Sequence, residues 1–192
     1  MKWLKIRYFA YTLPDNRIID FSKNYVIIPI GKNLLPKEIE DTLKDAEVGK
    51  NYSILLKRPY GERSESNIKI LPKTEFLKRN INPVPGLVIL VDGVRGIVRS
   101  VNGGRIIVDF NHPFAGKDIL YSIDVLGEVK DLPDKIKGII NFIFRIDFEK
   151  IDITISNNNI EIKLKDEKLP KNLTEILKNY IEDLKDYNII LS

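Results

Sequence analysis

The residue types that most often carry out enzymatic chemistry are scarce in this sequence. The chain contains one histidine, His112, and no cysteine, which excludes a cysteine–histidine pair and a metal site built from histidine and thiolate ligands. The sequence has no phosphate-binding loop, no dinucleotide-binding glycine pattern and no serine nucleophile elbow. We therefore expect no metal and no cofactor, and we interpret His112 as a structural residue of a loop.

A reaction that needs neither nucleophile nor metal is rotation about a prolyl peptide bond. Its uncatalysed barrier of about 18–20 kcal/mol arises from amide resonance. The twisted amide has lost that resonance and is less polar at its carbonyl, so a dry apolar pocket prefers it to the planar ground state. Such a pocket requires aromatic or aliphatic walls and one or two polar anchors.

Composition and charge restrict the partners and the location. The net charge is +4, with 31 basic and 27 acidic residues interspersed along the 192 residues, which is typical of a solvated surface and not of a nucleic-acid interface. No apolar run approaches the roughly 20 residues of a membrane span, and charges interrupt the first residues where a signal peptide would be apolar. Together with the absence of cysteine, this predicts a cytoplasmic protein without nucleic-acid or membrane partners.

The N-terminal part is predicted to be mostly β. A short helix is predicted at 36–44, because Leu35, Ile39 and Leu43 recur at helical spacing. Strands are predicted at 3–12, 18–20, 26–30 and 52–57.

The middle of the chain predicts a small all-β unit with a short helical lead-in that Thr74 could cap. Asp92-Gly93 and Gly103-Gly104 are typical hairpin turns. Strands are predicted at 86–91, 96–101 and 105–109, followed by one at 119–129.

The C-terminal part predicts an α+β segment after a linker at 131–134. The elements expected there are a helix at 135–144, a hairpin of strands 151–155 and 160–164, and an amphipathic helix at 173–184.

Three ordered segments resemble the SlyD-like kind of FKBP-type peptidyl-prolyl isomerases. Asp109-Phe-Asn-His-Pro-Phe-Ala-Gly116 and the strand after it are similar to the family's D-x-N-H-P-L-A-G-x-x-L-x-F-x-V-x-V. Glu47-Val-Gly-Lys50 with Pro59-Tyr-Gly61 is similar to M-x-V-G-E … A-Y-G. Tyr8-Phe-Ala-Tyr11 with Ile18-Ile-Asp20 is similar to Y-x-G-Y … L-F-D. The resemblance covers about residues 4–130 and is similar above all to the long archaeal members with an insert and an additional C-terminal domain.

The resemblance implies an α+β fold in three domains. Residues 1–67 and 110–130 are expected to form a discontinuous FKBP-like domain, a bent antiparallel sheet against one short helix. Residues 68–109 are expected to form a small all-β insert-in-flap domain with chaperone function, and 131–192 a C-terminal α+β domain.

The resemblance also implies an isomerase pocket. Ile19 and Val26 stand where the family commonly has phenylalanine, and Ile39 where a tryptophan or leucine forms the floor. The backbone donor for a substrate carbonyl falls on Pro36, which has no N–H, or on Leu35 in an alternative alignment with one inserted residue. The residues implied as catalytic are Tyr8, Asp20, Tyr60 and Tyr121, and those implied as the substrate pocket are Ile19, Val26, Leu35, Pro36 and Ile39.

Two functions follow from the resemblance. One is a peptidyl-prolyl cis-trans isomerase and folding chaperone acting on X-Pro bonds of unfolded polypeptides. The alternative is a chaperone or peptide-binding protein whose isomerase pocket is degenerate, weakly active or inactive. The resemblance also implies a possible homodimer through the C-terminal domain. The apolar residues implied as the chaperone surface, which could instead fill the insert's own core, are Ile81, Val84, Leu87, Ile89, Val91 and Val98.

Overall fold

The computed structural model describes residues 1–165, 168 and 170–192. The described chain is an α+β fold in which strands predominate, and it divides into two compact units. The first unit comprises Met1–Tyr11, Asn16–Leu56 and Leu120–Ser192, and the second comprises Thr12–Asp15 and Lys57–Ile119. The described residues contain no helix long and apolar enough to cross a membrane.

The first unit contains a five-stranded sheet and a three-stranded sheet. In the larger sheet the strand order is β2-β1-β9-β4, with β3 paired antiparallel to β1. Its elements are β1 (Trp3–Leu13), β2 (Arg17–Phe21), β3 (Val26–Pro29), the helix α1 (Lys37–Lys44) and β4 (Asn51–Leu56), together with the later strand Asp118–Glu128, which is β9 in chain order.

Strand β1 forms because its side chains alternate between the two faces of a sheet. Leu4, Ile6, Tyr8 and Ala10 are all at most 3% exposed and point into the core, while Arg7, between them, is exposed. The alternation therefore places the Tyr8 side chain on the buried face of the sheet.

The second unit contains a four-stranded antiparallel sheet in the order β5-β8-β7-β6. The predicted hairpin turns are confirmed: Asp92-Gly93 joins β6 to β7, and Gly103-Gly104 joins β7 to β8. Phe76, Val98 and Ile106 belong to its small core. The elements are a 3₁₀ turn at Glu65–Asn67, β5 (Ile68–Pro72), the helix α2 (Lys73–Leu77), β6 (Val88–Val91), β7 (Val94–Asn102) and β8 (Arg105–Asp109).

The start of α2 differs from the prediction. Pro72 occupies the N-cap position, and no side chain of the described residues caps the helix. Thr74 therefore does not have the expected capping role, because it lies inside the first turn.

The C-terminal segment shares one core with the first strands of the chain. Trp3 and Ile27 belong to the same buried cluster as Ile139 and Leu177. Its elements are α3 (Leu132–Phe144), a 3₁₀ turn at Phe148–Lys150, β10 (Ile151–Ser156), β11 (Asn159–Leu164), α4 (Leu173–Tyr180), a 3₁₀ turn at Glu182–Leu184 and β12 (Asn188–Leu191).

Two boundaries in this segment correct the sequence prediction. The expected linker at 131–134 is the start of α3, where the Asp131 side chain accepts a hydrogen bond from the Asp134 N–H at 3.2 Å and Pro133 occupies the first turn. The expected helix at 173–184 ends at Tyr180. The chain then adds β12, which pairs in parallel with β11 and was not predicted.

Candidate peptide-binding site

Tyr8 and Asp20 form a polar pair in the first unit, in which the tyrosine is buried and the aspartate is half-buried. Tyr8 of β1 is 3% exposed, and its hydroxyl donates a hydrogen bond to Asp20 Oδ2 of β2 at 3.1 Å. The backbone N–H of Phe21 donates to the other oxygen of Asp20 at 2.9 Å. This pair is the candidate for the polar anchor that we expect from the sequence in an isomerase pocket.

The strands hold the tyrosine by its backbone as well. The Tyr8 N–H donates to Ser22 Oγ and its carbonyl accepts from the Ser22 N–H, both at 3.0 Å. Burial raises the pKa of Tyr8, and the charge of Asp20 and the hydrogen bond to it raise it further, while Arg145 acts in the opposite direction. Tyr8 is therefore a neutral hydrogen-bond donor at neutral pH.

The predicted wall residues lie on neighbouring strands of the same unit. The rings of Tyr8 and Tyr121 are 6.2 Å apart between centroids and tilted by 36°, a favourable arrangement for an aromatic pair. Ile19 is half-buried, and Val26 is 4% exposed. The structure thus brings together the predicted Tyr8, Asp20 and Tyr121.

The loop before α1 is closed by a buried glutamate. Glu40 is 4% exposed, and its two carboxylate oxygens accept from the backbone N–H groups of Gly31 at 2.9 Å, Leu34 at 2.8 Å and Leu35 at 3.3 Å. The Leu35 N–H, one of the two candidate substrate donors, therefore already has a long bond to Glu40. Pro36, the other candidate, is exposed and occupies the N-cap position of the helix.

Ile39, the predicted pocket floor, is 0% exposed. Its side chain belongs to the packed core beneath α1. It therefore presents no exposed surface to a ligand.

Tyr60 lies in the second unit within an aromatic cluster. Its ring stacks on the imidazole of His112 at 4.3 Å between centroids and 6° between planes, and Phe114 lies 5.6 Å from both rings. The Phe114 N–H donates to His112 Nδ1 at 3.2 Å. His112 thus has a structural role, since it supports one face of Tyr60 and leaves the tyrosine 45% exposed.

An ionised carboxylate anchors the start of the Asp-x-Asn-His motif. Asp109 is 2% exposed, and its Oδ2 accepts hydrogen bonds from Arg63 and, at 2.8 Å, from Arg99. Its Oδ1 accepts from the N–H and the side-chain amide of Asn111 at 3.0 and 2.8 Å. Burial disfavours the charged carboxylate, but the hydrogen bonds from Asn111, Arg99 and Arg63 prevail and hold the pKa of Asp109 well below its usual range.

The insert sheet carries an apolar groove of about 370 Å³ between α2 and β6. Four of the predicted chaperone residues line it: Ile81, Leu87, Ile89 and Val91. Val84 is 49% exposed outside the groove. Val98 is 1% exposed and belongs to the core, so its assignment to an accessible surface is wrong.

One family model and several known proteins are similar to this chain. The family model described as "FKBP26, IF domain" matches residues 69–114. A short-type peptidyl-prolyl cis-trans isomerase of Methanocaldococcus jannaschii is 30% identical over 98 residues, which are 50% of this chain and 62% of the relative. This chain therefore spans less than two thirds of the length of that relative.

Two bacterial relatives extend the comparison. A probable FKBP-type 16 kDa peptidyl-prolyl cis-trans isomerase of Pseudomonas fluorescens is 27% identical over 135 residues, 65% of this chain and 87% of the relative. The isomerase SlyD of Pasteurella multocida is 28% identical over 103 residues, 50% of this chain and 51% of the relative. Over these segments the chain is similar to FKBP-type peptidyl-prolyl isomerases.

Two features of the structure were not predicted from the sequence. They are the hydrogen bonds from the loop before α1 to the Glu40 carboxylate, and the Asp109 ion-pair network. Only the last had a local signal, because Asp109 and Asn111 belong to the quoted motif.

Proposed function

We propose that this protein is a peptidyl-prolyl cis-trans isomerase that acts on X-Pro bonds of unfolded polypeptides. The relatives named as isomerases support the activity. The observation that carries the proposal for this chain is the hydrogen bond from the buried Tyr8 to the half-buried Asp20 beside the Tyr121 ring.

The proposed mechanism uses binding energy and no covalent step. The aromatic faces of Tyr8 and Tyr121 and the aliphatic Ile19 and Val26 favour the twisted amide, whose carbonyl is less polar than that of the planar form. Asp20 fixes the Tyr8 hydroxyl, and Tyr60 is proposed to donate a hydrogen bond to the bound peptide. The aliphatic residues at 19 and 26 offer less contact than aromatic ones, by on the order of 1 kcal/mol each, which predicts modest activity.

The backbone donor for the substrate is proposed to be the Leu35 N–H. Pro36 cannot donate, whereas the Leu35 N–H has only a 3.3 Å bond to Glu40, which also binds two better-placed donors. A substrate carbonyl could therefore take over this donor at small cost.

The isomerase proposal is tested with a matched pair of tyrosines on one strand. Tyr8 and Tyr11 lie on opposite faces of β1, and Tyr11 stacks on Phe9 at 6.3 Å. In a proline-limited refolding assay, Tyr8→Phe is expected to lower kcat/KM about tenfold, the loss of one hydrogen bond to a charged group. Tyr11→Phe is expected to leave it unchanged; equal rates for wild type, Tyr8→Phe and the uncatalysed reaction would remove the proposal.

A holdase function of the insert is a second proposal, carried by the apolar groove and the strand beside it. Leu90 of β6 is 73% exposed and Val88 is 46% exposed, and both line the groove. Unpaired apolar edge strands bind extended chains. The match of residues 69–114 to an insert-in-flap family supports this assignment.

The holdase proposal is tested by placing a charge on each edge of the insert sheet. Leu90→Lys changes the groove, whereas Ile70→Lys changes a residue of β5 that is 62% exposed and does not line it. We expect Leu90→Lys alone to weaken the suppression of aggregation of a reduced, unfolded client. Equal behaviour of both variants and wild type would contradict the proposal.

The domain division, the partners, the location and the oligomeric state are also proposed. We propose three domains: residues 1–67 together with 110–130, residues 68–109, and residues 131–192. The match of an insert-domain model to residues 69–114 supports the extent of the second of these domains. Proline-containing unfolded chains are the proposed partners, the cytoplasm is the proposed location, and a homodimer through 131–192 is tested by light scattering.

A further inference from the structure

The four-stranded sheet of the second unit packs its core against only one of its two faces. Residues that pair across strands point to the same face of a sheet, and neighbours along a strand point to opposite faces. Ile106 and Val108 of β8 are 0% exposed and belong to the core, as does Val98, the β7 partner of Val108. The residues that alternate with these point to the opposite face. They include three isoleucines on three adjacent strands: Ile70, Ile97 and Ile107.

This isoleucine face is apolar and accessible. Ile70 is 62% exposed, and Ile97 and Ile107 are half-buried. On the edge strand β6, Val88 and Leu90 extend the face to the rim of the groove. Single exposed apolar side chains are ordinary, but a contiguous group of them on one sheet face marks an interaction surface. The three isoleucines do not line the groove between α2 and β6, so the isoleucine face is a different surface.

Arginines surround the isoleucines. The four strands carry four basic residues and one acidic residue, Asp109. Arg95 and Arg105 lie on the isoleucine face and are exposed, and neither forms an ion pair with a residue that the structure describes. Arg99, which a bulge in β7 adds, donates to Asp109 at 2.8 Å. Asp109 also accepts from Arg63, so its carboxylate is already shared by two arginines and the face has a surplus of positive charge.

We propose that the isoleucine face is a docking site for an acidic amphipathic helix of a partner polypeptide. The apolar face of a sheet is commonly covered by a helix. A helix with an apolar stripe flanked by glutamate or aspartate places the stripe on the isoleucines and its carboxylates at the arginines, which bind carboxylates in a bidentate manner. Isoleucine offers no ring on which a base could stack, so a nucleic acid fits this surface less well. The inference depends on neither the isomerase nor the holdase proposal.

A synthetic helix tests the charge complementarity directly. The full chain is titrated into a fluorescein-labelled peptide of about five turns, with leucine at helical spacing, glutamate on the flanks and alanine elsewhere. We expect it to bind about tenfold or more tightly than the same peptide with lysine in place of glutamate, and more weakly as salt screens the exposed charges. Equal affinity of the two peptides would overturn the inference.

Two double variants separate the face from the overall charge. Arg95→Glu with Arg105→Glu reverses two charges of the face and is expected to weaken binding of the glutamate peptide about tenfold or more. Lys57→Glu with Lys69→Glu changes the net charge equally, but Lys69 pairs with Val108 and points to the core face, and Lys57 precedes the sheet. This control should keep the wild-type affinity. Equal losses in the two double variants, or no loss in the first, would contradict a docking site on this face.

Methyl NMR of the isoleucine-labelled chain locates the peptide without any change of sequence. Peptide-induced shifts are expected at the three isoleucines of the face, and Ile70→Ser, at an exposed position, is expected to weaken binding about tenfold through lost apolar contact. Shifts confined to Ile81 and Ile89 would place the peptide in the groove and overturn the inference. Tighter binding of single-stranded oligothymidine or of phosphatidylserine vesicles than of the glutamate peptide would overturn it in favour of a nucleic acid or a lipid surface.

Discussion

The ion-pair network of Asp109 makes the sharpest prediction about stability. In Asp109→Asn the side chain keeps its shape and one oxygen for Asn111, but its amide replaces the carboxylate oxygen that accepts from Arg63 and Arg99. Hydrogen bonds to charged groups contribute about 1.5–3 kcal/mol each. The two arginine side chains are 41% and 49% exposed, so water recovers part of the loss and we expect a net cost of about 2–4 kcal/mol.

A matched control exists in the first unit. Asp124 forms an ion pair with Arg7 at 2.8 Å, but the two side chains are 34% and 50% exposed. A solvent-exposed pair contributes about 0–1 kcal/mol, so Asp124→Asn is expected to change stability little. Calorimetry is expected to show a drop of roughly 10 °C for Asp109→Asn and a far smaller one for Asp124→Asn.

Hydrogen exchange then locates the effect. Faster exchange is expected in β7 and β8, whose strands carry Arg99 and Asp109, and not in β1. Equal costs for the two variants, or faster exchange spread evenly over both units, would refute the reasoning.

The pH dependence of this difference follows from the direction of the shift. The pKa of Asp109 is held below its usual range in the folded protein, while the unfolded chain has a value of about 3.9. The stabilisation is therefore complete above the unfolded pKa and is lost as the pH falls through the folded pKa. Wild type and Asp109→Asn should differ by a constant amount between about pH 5 and 8 and converge in acid.

Three further changes test contacts within the first unit and, for His112, within the second. Gly138→Ala should cost about 1–2 kcal/mol, because overpacking against Ile27 exceeds the gain in helix propensity; Gly127→Ala, with open space around it, is its control in chemical denaturation. Glu40→Gln should lower the free energy of unfolding by about 1–3 kcal/mol and speed hydrogen exchange at Gly31 and Leu34. Unchanged exchange there would contradict a stabilising role of the hydrogen bonds to Glu40. His112→Ala should free the Tyr60 ring and lower kcat/KM about two- to tenfold, whereas an identical ring-flip rate by NMR would show that the stacking at 4.3 Å has no such effect.

Local pattern predicted those parts of the fold that depend on near neighbours. The alternation in β1, the two glycine-containing hairpin turns and the short helix α1 all follow from spacing and turn chemistry within about ten residues. The start of α3 could also have been found, since Asp131 and Pro133 are ordinary helix-start residues that were interpreted as a linker.

Long-range pairing explains what the sequence did not reveal. Strand β12 is a short segment whose pairing with β11 is parallel and joins residues 29 apart, such as Ile160 and Ile189. The sequence around Glu40 does not indicate its hydrogen bonds, because they form only when the preceding loop folds over the helix.

The most direct test of the isomerase assignment is exchange NMR of a short Xaa-Pro peptide with a substoichiometric amount of the full chain. We predict cis–trans exchange cross-peaks that appear only with the protein, together with peptide-induced shift changes at Tyr8, Asp20 and Tyr121. Absence of exchange peaks at saturating peptide, with shift changes confined to the insert groove, would contradict the assignment and leave a peptide-binding protein.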